Sequence, residues 1–163
     1  MNIELSLDTK SINKAIKELE KYKRDLEQKK RTFMERLAEF GRNNASFLYP
    51  KGEISVSVVW KDENTIAVRA SGEEIAFIEF GTGITYGGGH PKPVIYDEGV
   101  ARQMGKGTFP SDKGHWDDPN GWWYPLGNGE YAHTYGNPPT ATMYNTARAM
   151  ERQAQIIIKE VFG

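Results

Sequence analysis

The sequence has no cysteine, which excludes disulfides, thiolate zinc sites, iron–sulfur clusters and a cysteine nucleophile. It has no run approaching the roughly 18 apolar residues of a membrane span, and the opening MNIELSLDTK lacks a signal-peptide core. It also lacks a charge excess. Lys+Arg total 21 against 22 for Asp+Glu, a formal net charge of −1, whereas a dedicated nucleic-acid binder usually carries a clear cationic surplus. The expectation is a soluble, intracellularly made protein with no membrane partner, and 163 residues suffice for one domain with a single core.

What is present is unevenly spread. Thirteen of the 17 glycines and seven of the eight prolines lie between residues 81 and 139, with all three histidines and three of the four tryptophans. The chain therefore reads as a single domain, 1–163, whose core (1–80 and 140–163) carries an inserted long loop at 81–139. Irregular loops beyond about 15 residues are uncommon and usually functional or mobile.

On the amino-terminal side, Ile3, Leu5 and Leu7 alternate as in a short strand, and Asp8 or Ser11 can cap a following helix. The apolar stripe Ile12, Ile16, Leu19, Leu26, Phe33, Leu37 and Phe40 defines that helix, with Lys30 interrupting it at a bend or where the helix leaves the core. Glu20–Arg24, Asp25–Lys29 and Glu27–Arg31 are spaced for i,i+4 ion pairs. Lys10 to Arg36 holds ten basic and five acidic residues, a solvated face or a surface for an anionic partner. Ile54–Trp60 and Ile66–Ala70 form two strands about the Asp62-Glu63-Asn64 turn, and Ile75–Phe80 is a third strand or a short helix. Met143, Ala147, Met150, Ala154, Ile157 and Val161 define a last helix, with Thr140 as its cap. The fold class is α+β: long amino-terminal and carboxy-terminal helices packed on a small antiparallel sheet, with the Gly/aromatic-rich loop before the last helix.

Sites for chemistry are weak. Gly99 to Gly107 departs from a phosphate loop, because five residues separate Gly99 from Gly-Lys and Gly107 follows Lys106. His90, His115 and His133 lack i,i+4 spacing, and Asp118-Pro119-Asn120-Gly121 fits a turn better than a calcium loop. No Gly-x-Ser-x-Gly elbow sharpens a serine. The expectation is therefore no enzyme, no catalytic residue, no cofactor and no metal site. Glu79 is either a buried acceptor for backbone amides or an edge carboxylate facing water. The loop aromatics are the strongest signal. Trp116, Trp122, Trp123, Tyr124, Tyr131 and Tyr135 suit protein anchors, a satellite core under the folded-back loop, or sugar stacking.

The motif Glu79-Phe80-Gly81-Thr82, within IAFIEFGTG, and the closing stretch from Trp122 (WWYPLGNGEYAHTYGNPPTATMYNTA) resemble the gene-product-ten-like tail-component family of long-tailed bacteriophages and prophages. That family pairs a charged amino-terminal helix with a short strand ending in Glu-Phe-Gly-Thr, a variable Gly-rich loop and a Gly-x-Pro-x-x-Pro-Phe segment before an Ala-containing helix. Here Gly136-Asn137-Pro138, Met143 and Ala147 match the closing segment, while Ala141-Thr142 replace its Pro-Phe. The resemblance implies a structural virion protein for tail completion or head–tail joining at the neck. It would form a ring, hexameric by this resemblance, at the head-proximal end of the tail. Its partners would be further copies, tail-tube proteins and neck or connector proteins, with DNA only in passage. It would be made in the bacterial host cytoplasm and end in the virion. Trp116, Trp122 and Trp123 would anchor the heterologous contacts of the ring.

Overall fold

The computed structural model describes residues 8–49, 54–72, 75–82, 114 and 118–163. The expected strand before Asp8 lies outside these residues. Helix α1 (Thr9–Leu48) runs 40 residues without a break, about 60 Å at the usual rise. Asp8 is its cap, accepting from the amides of Lys10 and Ser11 at 3.0 and 2.9 Å. It ends at Tyr49, whose extended backbone is what the following Pro50 demands.

Strands β1 (Ser55–Asp62) and β2 (Thr65–Ser71) form an antiparallel hairpin. Val56, Val58 and Trp60 pair with Ala70, Val68 and Ile66 along one half-buried face, which meets α1. Lys30 explains its own break in the apolar stripe. Its ammonium donates to Asn64 Oδ1 at 2.7 Å in the hairpin turn, and the neighbouring Arg31 stacks 5.3 Å from the Trp60 ring. The helix continues through Lys30 without interruption, and of the positions before it only Ala15 is buried.

Helix α2 (Ile75–Phe80) resolves the strand-or-helix ambiguity in favour of a helix. Strands β3 (Trp122–Pro125) and β4 (Tyr131–Thr134) form a second antiparallel hairpin, so the stretch read as irregular loop up to residue 139 contains regular structure near its end. Helix α3 (Thr142–Phe162) follows. The architecture is α+β, with the long helix, the carboxy-terminal helix and small antiparallel sheets as expected.

Helix α3 lies antiparallel on the second half of α1. Phe162 meets Phe33 edge-on, Glu160 pairs with Arg36, and Thr146 donates to Asn44 at 3.0 Å. The seam is made of small residues: Ala38, Gly41 and Ala45 are the buried positions in this half of α1. A side chain at Gly41 would collide with Met150 of α3 and come within 2.9 Å of Val68 Cγ2 of β2. One glycine thus sets how closely three elements approach. On α3 the buried stripe is Thr142, Thr146 and Ile157, so Thr146 replaces the expected Ala147, which is exposed.

The first half of α1 differs. Ile12, Ile16, Leu19, Tyr22 and Leu26 are all more than two fifths exposed. The three acid-first ion pairs expected here do not form. Glu27 faces Lys23 and Glu35 faces Arg31 instead, each with the base leading.

Candidate functional site: a clamped aromatic hairpin

The four residues Glu79 to Thr82 hold the start of α3. Ala141, the N-cap, has a left-handed backbone (φ 49°) and no side chain able to cap. Glu79 supplies the cap from α2. Its carboxylate accepts from the amides of Met143 (2.9 and 3.1 Å) and Tyr144 (3.1 Å), where the unpaired amides and the helix dipole favour an anion. Tyr49, at the end of α1, donates its hydroxyl to the same carboxylate at 3.3 Å. Both residues are buried. Burial and the adjacent carboxylate push the Tyr49 hydroxyl well above the usual tyrosine range. Of the two roles open to Glu79 in the sequence, the structure shows the buried acceptor. Thr140, expected as the cap, instead donates through its hydroxyl and amide to the Ile78 carbonyl.

Gly81 and Thr82 complete the clamp. Thr82 exchanges two bonds with Asn137: its amide donates to the Asn137 carbonyl, and its hydroxyl accepts from the Asn137 amide, both at 2.9 Å. Gly81 has φ +77°, and a Cβ there would lie 2.6 Å from the Asn137 carbonyl oxygen and 2.7 Å from Pro139 N. Only glycine satisfies both the backbone conformation and the approach. Phe80 is half-buried between these positions. The Glu-Phe-Gly-Thr motif is therefore a fastener joining the helical body to the segment that leaves the second hairpin.

That hairpin carries the aromatics. The register Trp122↔Thr134, Trp123↔His133, Tyr124↔Ala132 and Pro125↔Tyr131, with strand alternation, puts Trp122 and Trp123 on opposite faces. Trp122 is buried, with the Gly114 backbone against it, so it is a core residue and not the exposed anchor expected. Tyr124 shares its face yet stays 41% exposed. The opposite face is open: Trp123, Tyr131 and Tyr135 are 43%, 36% and 55% exposed, with Leu126 beside them in the turn. His133 packs between Trp123 (5.0 Å) and Tyr135 (4.9 Å) in a ladder of edge-to-face contacts. Its Nε2 donates to the Asn120 carbonyl at 3.0 Å, which fixes the ring. The turn is closed by Leu126 donating to Glu130 and by Asn128 bonding both the amide and the carboxylate of Glu130. Trp116 lies outside the described residues, as do Gly99–Gly107, His90 and His115.

Among the described residues no three His, Asp or Glu side chains cluster as metal ligands, and no helix is long and apolar enough to cross a membrane. No family model, curated protein or solved structure matches the chain.

The sequence singles out the aromatics of this stretch but cannot divide them, because the register that separates Trp122 from Trp123 exists only in the hairpin. His133 was missed as a member. The alternation Tyr131, His133, Tyr135 was the available signal.

Proposed function

We propose that the protein is a structural component of a bacteriophage or prophage virion, a tail-completion or head–tail joining protein of the neck. Copies assemble into a ring, hexameric by the resemblance, at the head-proximal end of the tail, with tail-tube and neck or connector proteins as partners and DNA only in passage. It acts in the host cytoplasm during assembly and then in the virion, and it makes and breaks no bond.

The observation that carries this reading is the outward aromatic ladder Trp123–His133–Tyr135, fastened through the Glu79–Thr82 clamp to the helical body. Exposed Trp and Tyr on a fixed scaffold bury large area at low entropic cost when they dock. A second apolar surface, on the first half of α1, supplies the different patch that a head-to-tail ring requires. The alternative, a small carbohydrate- or protein-binding module, divides on the ring geometry. Sugar stacking needs open ring faces, whereas these rings stand edge to face at 64° and 83°, which favours the protein partner.

Deletion of the gene from its phage or prophage, followed by imaging of the lysate, tests the proposal. The expected result is filled heads beside separate tails, some of abnormal length. Normal infectious virions would refute it.

A further inference from the structure

The first half of α1 has a second face that the virion reading leaves unused. At 100° per residue, Lys10, Lys14, Lys17, Lys21 and Arg24 fall within about 80° of one another, directly opposite the Ile12–Leu26 apolar stripe. All five are exposed, and none forms an ion pair with another described residue. The acids of this stretch, Glu18 and Glu20, lie outside the arc. The row spans about 21 Å of helix, the length of about six phosphates on one strand of a duplex.

The arrangement costs helix stability. Lys10–Lys14 and Lys17–Lys21 are like-charge i,i+4 pairs, and cations at a helix amino end oppose its dipole; the first turn of α1 contains no acid. The Asp8 cap offsets part of the dipole cost, but the like-charge pairs have no counter-ion among the described residues.

We infer that this basic row is a binding face for the phosphate backbone of duplex DNA, gripping it without reading its sequence. The row contains no apolar side chain, whereas a protein interface draws its affinity from an apolar, desolvated centre. A phosphate track needs only the regular cations that are present. A basic amphipathic helix also suits an anionic lipid surface, which would engage the exposed Ile12–Leu26 stripe as well as the cations, and the vesicle arm of the test separates the two. The overall charge of −1 is no obstacle, because the row's field is local: charges farther apart than about 8–10 Å are screened at ordinary salt. The inference does not depend on the virion reading; duplex binding by the isolated chain would survive that reading's failure.

The test titrates fluorescent duplexes of two unrelated sequences with the full chain. It compares wild type, the triple variant Lys14→Gln, Lys17→Gln and Lys21→Gln, and a control triple Lys61→Gln, Arg152→Gln and Lys159→Gln with the same charge change. Glutamine matches lysine in helix propensity, so α1 is retained, as circular dichroism will verify. Five phosphate contacts give a slope of about −4.5 in log K against log salt, about a 500-fold loss between about 50 and 200 mM. The wild type and the control triple should show this loss on both sequences alike. The row triple should bind at least about tenfold more weakly at low salt, with a slope shallower by about 3. Equal binding by the two triples, no binding at low salt, or binding to anionic vesicles or polyglutamate as tight as to DNA would each overturn the inference.

Discussion

The molecule contains two antiparallel hairpins of the same topology placed in opposite circumstances. The β1–β2 hairpin has its Val56–Val58–Trp60 face against α1 and is pinned there by Lys30 and Arg31. The β3–β4 hairpin buries only Trp122 and turns Trp123, Tyr131, His133 and Tyr135 outward. A two-stranded hairpin is marginal by itself in water. The first is stabilised by a helix; the second is held by ring contacts, turn hydrogen bonds and its tether to the Glu79–Thr82 clamp. The difference is one of cover: the first hairpin's apolar face lies against α1, whereas the outward face of the second is open, and on the proposed reading it is the face that meets another polypeptide.

The largest expected effect splits the two tryptophans. Trp122→Ala removes a buried ring and should cost about 3 kcal/mol or unravel β3–β4, seen as lost hydrogen-exchange protection there with β1–β2 unchanged. Next, Glu79→Ala leaves the amides of Met143 and Tyr144 and the Tyr49 hydroxyl without this carboxylate. It should cost about 2 kcal/mol in denaturant unfolding and should fray the start of α3 before it affects β1–β2. A loss spread evenly over both hairpins would show that the clamp does not distinguish them.

A smaller effect is visible in pH. Because the Tyr49 hydroxyl titrates above its ordinary value in the folded state, the folded chain holds that proton more tightly than the unfolded one. Its contribution is therefore complete below about pH 10 and is lost as pH rises from there towards the folded value. Tyr49→Phe should cost about 1 kcal/mol at neutral pH and should abolish this part of the alkaline loss. Stability curves of wild type and variant that stay parallel up to high pH would contradict the assignment.

Much of this was legible in the sequence, and the misses share a cause. The α1 and α3 helices, the Asp62–Asn64 turn and the Asp8 cap follow from local spacing and capping chemistry, and the structure contains all of them, although the buried positions on both helices differ from the expected stripes. What escaped depends on partners distant in the chain. Gly41 looked like an unremarkable residue until Met150 and Val68 arrived on either side of it. Thr140 looked like a cap because Glu79, more than sixty residues earlier, could not be seen to take that place. Lys30 looked like a defect in a stripe because Asn64 lay on another element. The candidate site was legible as a composition, aromatics among glycines, but its sidedness required the β3–β4 register.

On the proposed reading, the outer face of the second hairpin is a docking surface. The most direct test changes that face alone, with Trp123→Ser and Tyr135→Ser together, and follows both the purified protein and the virion it is proposed to complete. Both rings are substantially exposed, so unfolding stability should move by less than about 1 kcal/mol, while complementation of a gene deletion should fail and leave heads and tails unjoined. A variant that folds normally and restores infectious virions to the wild-type level would contradict the account.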